Sequence, residues 1–251
     1  MRLDNYLVDI QMFDSRTKAN QAIKRGEIFV DDVQTTKASL DVNYECKIDR
    51  RCESDFVSLG GFKLNKALKD FDLSVKDLIV ADIGASTGGF TDCLLKNGAE
   101  KVFAVDLRDD LLHKNLKDDT RVIQIVKNAK LLNKCDFLKP LDLIVADLSF
   151  ISLSQVMDVF SDLLTNGKKL LILIKPQFET GEKRKYKNGI IKDKKVHKTV
   201  CLNVYNYAIK CGFAPQAITT APLSKEKNTE FLFLLEKNGK ELLPENFIEK
   251  L

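Results

Sequence analysis

Side chains able to move a proton sit at four places in this 251-residue chain: Lys63 in 58–64, Asp147 in 146–152, Lys175 in 174–179 and Glu230 in 228–231. Taken singly, each reads as a surface ion pair. Lys175 is the least ordinary, because it closes the aliphatic string Leu170-Leu171-Ile172-Leu173-Ile174, where an ammonium is partly desolvated and needs a partner or a task. A fifth place is Asp82-Ile83-Gly84-Ala85-Ser86-Thr87-Gly88-Gly89-Phe90. Glycines between a strand and a helix let the backbone approach a ligand at the helix N-terminus. A dinucleotide loop has the spacing Gly-x-Gly-x-x-Gly, and here Ser86 stands where its second glycine belongs. A pyrophosphate is poorly served by that turn, whereas a methionine moiety, with a carboxylate and no phosphate, is accommodated. Asp106 follows Asp82 by 24 residues, a spacing that suits a carboxylate on ribose hydroxyls. Acids at both strand ends also suit a positively charged sulfonium.

These residues need a frame that brings strand ends together. Apolar runs at 78–83, 101–106, 121–126, 143–146, 170–175 and 231–235 read as strands, with amphipathic stretches at 90–97, 152–164 and 197–211 between them. Continuous aliphatic strands imply burial on both faces, hence a parallel, doubly wound α/β sheet. The alternation breaks at the end: strand-like 217–220, Pro222 and the run from Thr229 leave no room for a helix. The expectation is a Rossmann-like sheet closed by a terminal antiparallel hairpin, the habit of the class I methyltransferase version of this fold.

Residues 1–57 read as a separate small α+β unit. A first amphipathic helix carries Leu3, Leu7, Val8 and Ile10, and a second spans 15–24, capped by Asp14 or Ser15 and stopped by Gly26. Short β segments follow at 28–30 and on through Val42 and Ile48. Residues 1–60 hold nine Lys/Arg against eleven Asp/Glu, so the unit as a whole is not basic. Only the local run carrying Arg16, Lys18, Lys24 and Arg25 has the charge density of a phosphate-contacting patch; its alternative is a solvated helix face.

The chain's formal net charge of +4 is compatible with a polyanionic partner without requiring one. Its six cysteines form no Cys-x-x-Cys pair and its two histidines stand alone, so no metal is expected and free thiols are preferred to disulfides. The start is polar and no apolar string approaches the roughly 20 residues of a membrane span, so a cytoplasmic protein without membrane contact is expected.

The segments Gly-Ala-Ser-Thr-Gly-Gly-Phe-Thr-Asp (84–92), Ala-Asp-Leu-Ser-Phe-Ile-Ser (146–152) and Lys-Pro-Gln-Phe-Glu (175–179), with the Arg-Leu-Asp opening and the Asn-Thr-Glu-Phe segment, resemble the TlyA family. Its catalytic domain is like the FtsJ ribose methyltransferases, and hemolysin is another label it has carried. The resemblance implies S-adenosylmethionine-dependent 2′-O-methylation of a cytidine in ribosomal RNA. It divides the chain into an αL-motif RNA-binding domain of the ribosomal-protein-S-four type (1–57), a linker (58–64) and a methyltransferase domain (65–251). It places a catalytic tetrad on Lys63, Asp147, Lys175 and Glu230, and cofactor contacts on Asp82, Gly84, Ser86, Gly88, Asp106 and Asn128. Two positions depart from the family pattern: Leu59 stands for the arginine of the usual Ser-Arg-Gly-Gly, and Lys130 for the arginine of an Asn-x-Arg element.

The chemistry is coherent with those residues. A ribose hydroxyl must lose its proton as it attacks the methyl group in line. Lys175 would accept that proton, with desolvation and the nearby Lys63 favouring its neutral form. Asp147 would orient Lys175, and Glu230 would hold the hydroxyl or the second lysine. Residues 183–198, with eight Lys/Arg and one acid, read as a clamp on ribosomal RNA or a ribosomal subunit through Lys183, Arg184 and Lys185. Competing readings are a nicotinamide oxidoreductase, an RNA-binding protein that has lost catalysis and a membrane-active hemolysin. The family has a shorter form that acts on large-subunit RNA and a longer form that modifies both subunits; with short segments before the first helix and after the last strand, the resemblance implies the shorter form and large-subunit RNA as the expected substrate.

Overall fold

A computed structural model of the chain describes residues 1–24, 26–31, 33–50, 56–181, 189–222 and 228–243. Arg25, Lys183, Arg184 and Lys185 lie outside the described residues. Two units are distinguished, Met1–Leu59 and Gly60–Leu251.

In the first unit, Leu3 and Leu7 lie one helical turn apart on α1 (Leu3–Asp9) and are buried with Ala19, Ala22 and Ile23 of α2 (Arg16–Lys24). Ile10, expected on the apolar face, lies beyond the last turn of α1 and is exposed. Ser15 is the cap of α2: its Oγ accepts the Lys18 N–H at 3.3 Å, while Asp14 pairs with the Lys18 ammonium. Gly26 stops the helix at φ +76°, and a Cβ there would meet Gln34 Nε2 at 2.7 Å. The chain then forms β1 (Ile28–Val30), β2 (Val33–Thr35) and β3 (Ile48–Arg50), an antiparallel sheet with β1 in the middle.

The second unit opens with α3 (Leu59–Asp70), where Leu64, Ala67 and Leu68 are buried at helical spacing. This corrects the expectation of a linker over 58–64: the Gly60-Gly61 pair sits in the first turn, and the apolar spacing that follows carries the helix through it. Seven strands follow: β4 (Ile79–Ile83), β5 (Lys101–Asp106), β6 (Val122–Val126), β7 (Leu143–Ala146), β8 (Lys169–Ile174), β9 (Phe213–Thr220) and β10 (Phe231–Lys237). Their order in the sheet is β6-β5-β4-β7-β8-β10-β9. The first five strands in that order run parallel, and β10 is antiparallel to both β8 and β9. The α/β sheet with its terminal antiparallel hairpin is therefore the fold that the aliphatic runs imply. Fully buried Phe103, Ile144, Phe160 and Phe233 centre its core. The strand order reverses between β4 and β7, which opens a crevice beyond their carboxyl ends.

The helices are α4 (Gly89–Lys96), α5 (Lys114–Lys117), α6 (Met157–Leu163), α7 (Pro176–Glu179) and α8 (Lys194–Lys210). The stretch 152–164 is not one helix but a 3-10 turn, Leu153–Gln155, followed by α6. α8 begins before His197, with Asp193 capping it by accepting the Lys195 N–H at 2.8 Å. The basic residues from Lys194 to Lys198 are thus helical and not part of a loop. β9 runs four residues earlier than its apolar signal and includes Pro215, which an edge strand tolerates because its N–H side need not be paired.

Candidate active site

The fold brings together the four residues that the sequence singles out, three of them through the sheet register. Phe231 of β10 pairs with Ile174 of β8, so Glu230 and Lys175, the next residues outward, come opposite each other. Asp147 directly follows β7, the neighbour of both β4 and β8, and Lys63 lies on the second turn of α3. Lys63 Nζ is 2.6 Å from Glu230 Oε2 and 4.0 Å from Asp147 Oδ2. Lys175 Nζ is 2.5 Å from Asp147 Oδ1. Lys175 is 8% exposed, so its ammonium has little water and takes its stabilisation from these oxygens. Two lysines and two carboxylates cancel in charge, and each amine is held by a different carboxylate.

A second group of acids lies at the carboxyl ends of the neighbouring strands β4 and β5. Asp82 is fully buried at the end of β4; its Oδ2 accepts the Thr91 hydroxyl at 2.6 Å, and Oδ1 has no partner among the described residues. Burial pushes the Asp82 carboxyl up to about 7, and the charges of Asp147 and Asp106 push in the same direction against the Thr91 hydrogen bond. The two neighbouring strand-end carboxylates thus disfavour the ionised form of Asp82, an arrangement that a cation relieves. Asp106 is fixed by backbone, with Oδ2 accepting the Ser86 N–H at 2.8 Å and Oδ1 the Leu107 N–H at 2.7 Å. Gly84 and Gly88 adopt φ +86° and +92°. Their want of a side chain has a packing cause: a Cβ on Gly84 would lie 2.7 Å from the Asp147 carbonyl oxygen, and one on Gly88 would strike Leu116 and Leu112. Ser86, also at positive φ, is exposed on the loop. Asn128 follows β6 and is exposed, its Oδ1 accepting the Lys130 N–H at 3.0 Å.

Three further residues lie in the quoted motifs but were given no role by the sequence, because their contacts arise from the tertiary register. Ser149 Oγ accepts a hydrogen bond from Lys175 Nζ at 2.8 Å. Asn228 ties two segments together: its Oδ1 accepts the Ile191 N–H at 2.7 Å and its Nδ2 donates to the Gly189 carbonyl at 2.9 Å. Phe150 is 83% exposed at φ +67°, its ring centroid 5.1 Å from that of Phe178, which in turn lies 5.9 Å from Lys175 Nζ. A phenylalanine so exposed in left-handed backbone gains nothing for the core.

In the first unit, Asp4 is buried and accepts from Arg2 Nε and Nη2, both at 3.0 Å, from Arg16 Nε at 2.8 Å and from Asn20 Nδ2 at 3.0 Å. Arg16 thus has a structural anchor, and Arg2, of the Arg-Leu-Asp opening, shares it. Arg2 holds the Asp4 carboxyl well below the usual range, with Arg16 and Asn20 adding to the effect against burial. Lys18 and Lys24 are exposed.

Residues 56–238 match the FtsJ-like methyltransferase family. The chain belongs to that family. Among its relatives, Hemolysin A of Brachyspira hyodysenteriae is 39% identical over 235 residues, covering 92% of this chain and 98% of the relative. The 16S/23S rRNA (cytidine-2′-O)-methyltransferase TlyA of Mycobacterium tuberculosis is 32% identical over 238 residues, covering 93% and 89%. A solved structure from Streptococcus thermophilus, provisionally named a hemolysin, superposes with a TM-score of 0.76 at 33% identity, covering 99% of this chain and 93% of the other. Among the described residues, no helix is long and apolar enough to cross a membrane and no group of side chains has the composition of a metal site.

Proposed function

We propose that this FtsJ-like methyltransferase transfers a methyl group from S-adenosylmethionine to the 2′-hydroxyl of a cytidine ribose in ribosomal RNA. The observation that carries the reading is the pairing of Lys175 with Asp147 and of Lys63 with Glu230 at the carboxyl ends of the sheet. The name of one relative agrees with it: the Mycobacterium tuberculosis protein is a 16S/23S rRNA (cytidine-2′-O)-methyltransferase.

The residues present fit the cofactor. The unpartnered Asp82 Oδ1 and the clustered charges of Asp82, Asp106 and Asp147 suit a ligand bearing an ammonium and a sulfonium. Gly84, Ser86 and Gly88 would line its methionine end, Asp106 would accept from ribose hydroxyls, and Asn128 would border the nucleoside. When bound, the cofactor supplies an electrophilic methyl on sulfur. The protein's task is to align a ribose oxygen with it and remove the proton. Lys175 in its neutral form accepts that proton at Nζ, Asp147 holds the resulting ammonium, and Lys63 with Glu230 positions the hydroxyl. The Phe150 and Phe178 rings offer a face on which an unstacked base can lie, as single-stranded RNA recognition requires. In the first unit, Arg2 and Arg16, with Lys18, Lys24 and Arg25, would contact phosphates, and Lys183, Arg184 and Lys185 would add further positive charge for an RNA partner.

Incubation of the purified chain with S-adenosylmethionine and both ribosomal subunits, followed by mapping of ribose methylation, tests the reading. A new 2′-O-methylcytidine is the expected product, and methylation of a base would refute it.

A further inference from the structure

A lysine that takes a proton must present its lone pair to the donor, and a single ion pair does not fix that direction. The four directions around Lys175 Nζ are the bond to its own Cε and three others. Asp147 Oδ1, 2.5 Å away, pairs with the ammonium as an ion but is not aligned as a hydrogen-bond acceptor, so it fixes none of these three. The hydrogen bond from Lys175 Nζ to Ser149 Oγ at 2.8 Å does fix one, and with the Cε bond that sets the other two. Asp147 already neutralises the ammonium's charge, so what a neutral hydroxyl adds is chiefly orientation.

We propose that Ser149 is a positioning residue for methyl transfer: its hydrogen bond sets the rotation of Lys175 Nζ about the Cε–Nζ bond so that the amine's lone pair faces the ribose hydroxyl. This rests on the reading of the tetrad given above and goes beyond it by assigning a residue outside the tetrad. In the transfer step the ribose O–methyl bond forms as the sulfur–methyl bond breaks, and the proton on O2′ passes to Lys175 Nζ. Ser149 neither gains nor loses a proton. The local backbone is consistent with such a role. Asp147 and Ser149 lie two residues apart on the segment that leaves β7, and Phe150, immediately after, turns in the left-handed region at φ +67°. One short loop thus delivers both oxygens to the same nitrogen. Ser149 is itself exposed, so its hydroxyl has water available and is not driven to Lys175 by burial.

The test uses the full chain with Ser149→Ala and Ser149→Thr. Threonine keeps the hydroxyl, and at an exposed position its extra methyl meets solvent. The Ser149→Ala variant should lower kcat about tenfold or more while leaving KM for S-adenosylmethionine and for RNA within about twofold, and Ser149→Thr should recover most of the loss. A second readout needs neither substrate: labelling with an amine-selective reagent at one fixed pH, followed by peptide mass spectrometry. Ser149→Ala should change the labelling rate of Lys175 several-fold and leave that of Lys63 unchanged, and Ser149→Thr should restore it. Ribose methylation by Ser149→Ala at the wild-type kcat would overturn the Ser149 role and leave the function standing. So would an equal loss in both variants, which marks a packing defect. A wild-type chain that methylates a base instead would overturn the ribose reading and the Ser149 role with it.

Discussion

Asp82 combines complete burial with a carboxyl oxygen that has no partner among the described residues. Its carboxyl is raised to about 7 in the folded chain, against an ordinary value of about 3.9. The folded protein therefore holds a proton that the unfolded chain has released. Stability from this group is complete below about pH 4 and is lost as pH rises toward 7. Asp82→Asn keeps the shape and stays neutral, so it should flatten that decline. Denaturant melts between about pH 5 and pH 8 should show a loss on the order of 2 kcal/mol in the wild type that is absent from the variant. A cationic ligand at Oδ1 favours the carboxylate, so S-adenosylmethionine should bind more tightly as pH rises from about 6 to 8, and the variant should show no such gain. Asp4 has the opposite sign. Its depressed carboxyl contributes stability that is complete above the ordinary carboxylate range and is lost as pH falls below that range toward the lowered value. Asp4→Asn should destabilise the first unit by about 2 kcal/mol, a moderate figure because Arg2 and Arg16 are half exposed and solvent screens part of the interaction. Thermal melting of the variant checks it.

At the scale of elements, the glycine loop and the end of β7 are mechanically one object. A methyl group at Gly84 would meet the Asp147 carbonyl at 2.7 Å, on backbone already at φ +86°. Gly84→Ala should therefore cost about 3 kcal/mol from left-handed strain and overpacking. It should also lower kcat by shifting Asp147 away from Lys175, an effect that activity measured at a temperature where the variant is still folded would detect. This coupling was not legible in the sequence, where Gly84 reads as room for a ligand. What was legible follows from period and composition. Strands buried on both faces, such as Ile144 and Val145 in β7 or Leu170 to Ile174 in β8, appear as unbroken aliphatic runs. Helix α3 was not legible, because Gly60-Gly61 reads as a hinge while the evidence for a helix, the burial of Leu64, Ala67 and Leu68, depends on what they pack against. The start of β9 was hidden by Pro215, since only its edge position permits a proline there. The tetrad came from the family resemblance and the sheet-end positions. Ser149, Asn228 and Arg2 needed the register and the buried Asp4 to become visible.

At the scale of the whole molecule, each unit brings a different part of the proposed reaction. The first brings phosphate contacts, but Arg16 is a poor place to test them, because its loss also strips a donor from Asp4. Lys18 and Lys24 are exposed and free of that complication. Lys18→Glu with Lys24→Glu should weaken RNA binding about tenfold and make its salt dependence shallower by about two, leaving S-adenosylmethionine affinity unchanged. Binding titrations over a range of salt decide this. The second unit brings the chemistry, and there one measurement bears most directly on the central claim. Ribosomal RNA is treated with S-adenosylmethionine and either the wild-type chain or Lys175→Ala, and each ribose is mapped by mass spectrometry. The account predicts a 2′-O-methylcytidine formed by the wild type and reduced about a hundredfold or more by the variant, with both proteins binding S-adenosylmethionine and RNA equally. Wild-type turnover by Lys175→Ala, or a methyl group found on a base, would contradict it.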